Sequence, residues 1–174
     1  MSGSGRWLGD TGTGDRGALN SEMKTIDETI EFIKKAHWNQ TDKAGASYWK
    51  HPVAVMHRLP YDATIEMKLA ALLHDVLEDS KYTANDLFNA DYQWGAVGWV
   101  QELTKPKDML YLAWIQKIAR ESDREVIQIK LADLSHNMDH NRAVELPLAE
   151  RVWWEKAMKL KYRPAVSILV DALI

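Results

Sequence analysis

The chain has 174 residues, 46% hydrophobic and 27% charged, a mix that builds a buried core and excludes a disordered or collagen-like polymer. Its formal charge of −3, from 22 basic and 25 acidic residues, weighs against a nucleic-acid-binding surface. The absence of cysteine excludes a disulfide scaffold, a thiolate zinc site and a cysteine nucleophile, and suits a cytoplasmic location. The longest clear apolar run, Leu69 to Leu73, is far short of the roughly 20 residues a membrane helix needs, and no signal peptide opens the chain.

Residues 1–20 hold six of the nine glycines and read as a flexible arm. Gly12 to Gly17 fits a G-x-G-x-x-G pattern, but no strand precedes it, so a dinucleotide loop is rejected. Residues 21–174 read as one domain. Met23, Ile26, Ile30 and Ile33 form a helical stripe, with Thr25 and Glu28 spaced for a capping box. Pro52 suits the first turn of a helix over Val53 to Leu59, which Pro60 ends. Thr64 caps a third helix whose buried face is Ile65, Leu69, Leu72, Leu73 and Val76. Thr83 and Asp86 start another, Trp94 to Leu103 continues the helical period, and Leu110 to Ala119 follows Pro106. A long helix begins at Ser122 or Asp123 and runs through Val126, Ile127, Leu131, Leu134 and Met138. Pro147 starts the next, and Arg163-Pro164 breaks it before a short apolar helix. No strand pattern persists, so the expectation is an all-α bundle of eight or nine helices. Most of the eight tryptophans are assigned to core or interface packing, and at least one of Trp153 and Trp154 to the core.

The sharpest chemical feature is His74-Asp75-Val76-Leu77-Glu78-Asp79, directly after the apolar run. On a continuous helix His74 sits beside Glu78, and Asp75 beside Asp79. Carboxylates carried toward an interior are costly unless paired or metal-bound. The plain alternative is a solvated helix end. A second group, Lys130 to Asn137, places Asp133 and Asn137 four apart; hydrogen-bonded polar core residues would look the same. His136 and His140 are also four apart, but lack the glutamate of a His-Glu-x-x-His zinc pair. His51, ahead of Pro52, is expected in extended backbone at the start of a helix. Two imidazoles and two carboxylates together suit manganese, iron, cobalt or zinc.

In order, His51-Pro52-Val53, His74-Asp75-x-x-Glu78-Asp79 and Leu131-Ala132-Asp133-x-x-His136-Asn137 resemble the HD superfamily of metal-dependent phosphohydrolases. Within it, with Ala36 to Gln40, Lys43, Tyr48 to Val55 and Leu103-Thr104-Lys105, the chain is similar to the hydrolase domain of Rel/Spo-type alarmone enzymes. The resemblance spans roughly residues 29–140. It implies metal ligands His51, His74, Asp75 and Asp133, with Mn2+ the usual ion and another divalent transition metal the alternative. It implies that Glu78 and Asp79 handle the attacking water, and that Lys43 and Asn137 contact substrate. The implied reaction is removal of the 3′-pyrophosphate from (p)ppGpp, to GDP or GTP and pyrophosphate, by a metal-activated water. The alternatives are an HD hydrolase of another nucleotide, such as a dNTP or NADPH, and a non-catalytic nucleotide-binding module. The expected partner is a small nucleotide, with no nucleic acid and no membrane; a homo-oligomer is compatible with the chain. Asp42, Leu134 and Asp139 depart from basic residues common in these enzymes, and Lys50, Lys130 or Arg142 are the candidates to compensate. With no synthetase region after Ile174, the expectation is a stand-alone hydrolase of the stringent response.

Overall fold

The computed structural model describes residues 24–174; the expected arm, the Gly12 to Gly17 motif and Met23 lie outside the described residues. The described residues form eleven α-helices and one π-helical turn, and their only β feature is an isolated bridge between Thr41 and Ser47. The all-α expectation holds. Eight of the helices have seven or more residues, as expected; the shorter ones include the four residues after the break at His74-Asp75 and a helix after Met138. Among the described residues no helix is long and apolar enough to cross a membrane.

Helix α1 (Ile26–Ala36) starts at Thr25, whose hydroxyl accepts from the Glu28 N–H while the Glu28 carboxylate accepts from the Thr25 N–H. Its stripe buries Ile33 fully. Helix α2 (Lys50–Met56) begins three residues before the expected start, so His51 lies in its first turn rather than in extended backbone. The N–H groups of a first turn have no intrahelical acceptor, so Pro52 forfeits nothing there. Upstream carbonyls of Ser47 and Tyr48 accept from Lys50 and His51 N–H and wind the turn back.

Helix α3 (Ile65–Leu73) is the centre of the fold, capped by the Thr64 hydroxyl. It packs against α1, α2, α6 (Trp94–Leu103) and α8 (Arg124–Asn137). A helix with neighbours on most sides must be apolar on most sides. Met67, Leu69, Ala70, Ala71, Leu72 and Leu73 are all buried, whereas Ile65, expected inside, is at the exposed N-terminal end. Leu72→Ala is expected to destabilise the protein by about 2–5 kcal/mol, measured by urea unfolding, because so enclosed a site collapses poorly.

The chain continues through α4 (Val76–Asp79), α5 (Ala84–Asn89, with a Thr83–Asp86 capping box), α6 and α7 (Tyr111–Glu121). After α8 come α9 (His140–Glu145) and α10 (Leu148–Ala157). The π-helical turn Met158–Tyr162 then leads into α11 (Arg163–Asp171), which packs on α7 and α8. The expected break before the final short helix is the π turn itself, and Pro164 falls just after it, in the first turn of α11. The tryptophans divide. Trp114 and Trp154 are buried and Trp49 and Trp99 pack half-buried against the core, whereas Trp38 and Trp94 are 80% and 78% exposed.

Candidate metal and active site

Three elements bring the charged groups to one point. His51 comes from the first turn of α2, His74 and Asp75 from the break between α3 and α4, and Asp133 from the last turns of α8. The burial of α3 forces the break's side chains inward: His74 is 2% exposed although it ends an apolar run. One donor atom each from His51, His74 and Asp133 lies within 4.8 Å of the others. The Oδ2 of Asp75 joins them, 3.5 Å from His51 Nε2 and 3.0 Å from His74 Nε2. The four residues read from the sequence thus converge, from sites up to 82 residues apart, counted from 51 to 133.

The hydrogen bonds around the quartet orient its rings. His74 Nδ1–H donates to the Ala71 carbonyl at 2.8 Å, leaving Nε2 aimed at the carboxylates. That Nε2 is buried and makes no hydrogen bond. His51 Nδ1–H donates to His136 Nδ1 at 2.6 Å, and its Nε2 faces Asp133 Oδ1 at 3.3 Å. Burial, followed by the charges of His51, Arg142 and Arg58, pushes His136 down to about 3 and keeps the ring neutral; Arg142, which can only donate, reaches Nδ1 at 3.2 Å and makes that atom an acceptor. Asp133 is held by Lys130 at 2.7 Å through Oδ2 and by Asn137 at 2.6 Å through Oδ1. Burial alone would raise its carboxyl, but Lys130, His51 and His74 hold it well below the ordinary range. Asp75 is held low in the same way, by His74 and His51 against its burial.

This donor set fits a divalent cation. An orphaned buried imidazole nitrogen, a second imidazole oriented through its far nitrogen, and two ionised carboxylates are the usual first and outer layers of such a site. Without a cation, burial lowers His51 but the hydrogen bonds to Asp133 and Asp75 prevail and push it up to about 9. A metal would take the place of that Nε2 proton. Mn2+ affinity is therefore expected to rise about tenfold per pH unit between pH 6 and 8, with one proton released. Isothermal titration in two buffers of different ionisation enthalpy checks this; a pH-independent affinity would remove His51 from the ligand set.

Beside the quartet, Glu78 and Asp79 line the same cavity of about 190 Å³. They stand on α4, not on a helix continuous with His74 as expected, but the Asp75–Asp79 pairing survives: Asp79 N–H donates to the Asp75 carbonyl at 2.9 Å. The Tyr48 hydroxyl lies 2.6 Å from Asp75 Oδ2 and 3.2 Å from Asp79 Oδ2, bridging the two. Burial, then the charges of Asp75 and Glu78, raises the Asp79 carboxyl above its ordinary value. Glu78 Oε2 accepts from Lys105 N–H at 3.1 Å. Asn137 lines this cavity and an adjoining groove of about 230 Å³, which Lys43 enters. There Lys43 Nζ lies 3.1 Å from the centre of the Trp153 ring and 3.0 Å from Glu150.

The three departures have structural occupations. Asp42 accepts from Ala44 and Ala46 N–H, shaping a turn in which Gly45 has φ 84°, and pairs with Arg142 at 2.9 Å. Leu134 is fully buried, and Asp139 caps α9 while pairing with Arg58 at 2.7 Å. Of the expected compensating cations, Arg142 and Lys130 reach the cavity. His136 and His140 do not form a zinc pair: His136 faces His51, and His140 packs edge-on to Trp154. The sequence gives no role to Tyr48 or Lys161 and none to His136 beyond the weak zinc pair; their partners are 27 or more residues away, beyond any local spacing.

No protein-family profile matches the chain. Individual proteins do. The bifunctional (p)ppGpp synthase/hydrolase SpoT of Escherichia coli is 34% identical over 133 residues, 67% of this chain and 18% of that protein. This chain carries an HD domain of the Rel/Spo kind. A GTP pyrophosphokinase of Streptomyces coelicolor is 33% identical over 127 residues, 68% of this chain and 15% of that protein. A guanosine-3′,5′-bis(diphosphate) 3′-pyrophosphohydrolase of Haemophilus influenzae is 35% identical over 121 residues, 62% of this chain and 17% of that protein. The HD domain here spans less than a fifth of the length of these relatives. A solved structure described as a metazoan orthologue of SpoT that hydrolyses ppGpp shares the fold of this HD domain. It matches with TM-score 0.62 and 23% identity, over 84% of this chain and 92% of that one.

Proposed function

We propose that this chain is a divalent-metal-dependent hydrolase, with Mn2+ the expected ion, that removes the 3′-pyrophosphate from (p)ppGpp. The observation that carries the reading is the convergence of His51, His74, Asp75 and Asp133 around an orphaned imidazole nitrogen, with His51, Asp75 and Asp133 lining one cavity with Glu78 and Asp79. The likeness to proteins named for ppGpp hydrolysis supports it. His51, His74, Asp75 and Asp133 would hold the cation, which when bound supplies positive charge to a phosphoryl oxygen and lowers the pKa of water. Asp79, made more basic by its burial and its anionic neighbours, takes the proton of the attacking water. Glu78, tied to the Lys105 backbone, orients that water. Water oxygen bonds to the phosphorus attached at the 3′-oxygen and that P–O bond breaks; the two phosphoryl groups leave as pyrophosphate, and the 3′-oxygen takes up a proton, from Asp79 or solvent, to become the hydroxyl of GDP or GTP. Lys43 and the Trp153–Trp154–Tyr162 wall of the groove offer a cation and aromatic faces to the nucleoside, and Asn137 stands between groove and cavity. We place the reaction in the cytoplasm, where it would end an alarmone signal of the stringent response.

A second reading, hydrolysis of another nucleotide such as a dNTP or NADPH, is favoured by one observation. Arg142, a cation between groove and cavity, is engaged by Asp42. Ion-exchange analysis of products from Mn2+-loaded protein tests both. Formation of GDP and pyrophosphate from ppGpp is the expected result; an intact ppGpp with cleavage of a dNTP or NADPH would transfer the assignment to the second reading.

A further inference from the structure

The buried residues along the last two helices are Trp154, Ala157, Tyr162, Ala165 and Leu169. Their spacings are three, five, three and four. A regular α-helix repeats its inner face at three and four, so the step of five is the one that requires the π turn Met158–Tyr162. On an uninterrupted helix the inner face after Ala157 would fall at Leu160 and Lys161, three and four residues on, and would carry the Lys161 ammonium toward the apolar core. The inserted residue hands that place to Tyr162 and sets Lys161 at the edge of the buried face, half-buried, on the wall of the cavity lined by His51, Asp75 and Asp133.

Two tyrosines then aim it. Lys161 Nζ lies 4.3 Å from the centre of the Tyr111 ring and 5.3 Å from that of Tyr162. The other cations near the site are already engaged. Lys130 pairs with Asp133, Arg142 with Asp42 and Lys43 with Glu150, while Lys105 Nζ donates to the carbonyls of Pro106 and Met109. Among the described residues Lys161 forms no ion pair and no side-chain hydrogen bond, although burial and the nearby Lys130 make its charge costly to hold. The carboxylates of Asp133 and Glu78 attract it but neither is at ion-pair distance; a half-buried ammonium so placed, beside a site suited to a cation and a phosphoryl group, is matched to an anion brought by the ligand.

We propose that Lys161, set on the cavity wall by the π turn, is a substrate-binding residue that takes the negative charge of a pyrophosphoryl group lodged beside the metal quartet. This rests on the reading of the cavity as a phosphohydrolase site, and adds to it a specific phosphate contact outside the HD motifs.

The test uses the full chain loaded with Mn2+, as wild type, Lys161→Met and Lys161→Arg. The methionine keeps an aliphatic stem against the two tyrosines; Lys161→Gln replaces it should its thermal unfolding show a lost fold. Calorimetric titration with inorganic pyrophosphate is expected to show affinity weakened about 10- to 100-fold in Lys161→Met, with most of it recovered in Lys161→Arg. Mn2+ affinity of the three proteins is expected to be equal, because Lys161 acts on the anion and not on the metal. Unchanged pyrophosphate affinity in Lys161→Met, or no pyrophosphate binding by wild type, would overturn the proposal; so would a loss of Mn2+ affinity that accounts for the whole effect. Turnover of ppGpp by wild type is measured in parallel. If wild type binds pyrophosphate but leaves ppGpp intact, the assigned substrate fails while the Lys161 comparison still decides the phosphate contact.

Discussion

Asp133→Ala is expected to unload the metal and to destabilise the metal-free protein by about 3–5 kcal/mol, the cost of leaving a buried charge without its partner. The partner is Lys130, 8% exposed, whose Nζ donates to Asp133 Oδ2 at 2.7 Å and sits 4.5 Å from the centre of the Trp114 ring. Asp133 therefore serves two neighbours: one oxygen neutralises the buried ammonium, and the other faces His51 and His74. The double variant Lys130→Met with Asp133→Ala separates the two roles. It is expected to recover most of the lost stability in urea unfolding, because both buried charges are gone, yet to bind no Mn2+. A single Asp133→Ala variant that kept both its unfolding midpoint and its metal would sink both assignments.

Glu78→Gln is expected to lower turnover about 10²–10⁴-fold, the usual contribution of a group that positions or deprotonates the attacking water. The amide oxygen can still accept from the Lys105 N–H, so the loop after α6 keeps its tie and stability is expected to change by less than about 1 kcal/mol. Mn2+ stoichiometry is expected to stay at the wild-type value, since Glu78 is not among the converging donor atoms. Rapid-quench measurement of product against metal content decides: wild-type turnover would remove Glu78 from the chemistry, and lost metal would move it into the ligand set.

The fold was legible wherever a physical rule acts within a few residues. The capping boxes at Thr25 and Thr83, the cap at Thr64 and the apolar stripes of α1, α6 and α8 depend on spacings of three and four, which a sequence displays directly. The failures share a cause. His51 was expected in extended backbone from a local rule about proline, but carbonyls of the preceding turn prolonged the helix backward. Periodicity puts Ile65 on a buried face without saying how far the neighbouring helix extends; it sits at the exposed N-terminus of α3. The π turn was invisible, since a five-residue step among buried positions has meaning only once burial is known.

The sequence by itself determined which residue types the site contains. His51, then His74-Asp75 with Glu78-Asp79, then Asp133 and Asn137 stand in an order that resembles the HD hydrolases, and the proposed metal quartet comes from that resemblance. Tertiary structure alone decided how those groups are held and charged. Folding sets His136 behind His51, Tyr48 between Asp75 and Asp79, Lys130 beneath Asp133 and Asp42 against Arg142. Except for the Lys130–Asp133 pair, these are contacts across separate elements. They exist because α3, buried between α1, α2, α6 and α8, draws distant segments onto one point. Proton positions and charges there follow from burial and distance, which no linear spacing encodes.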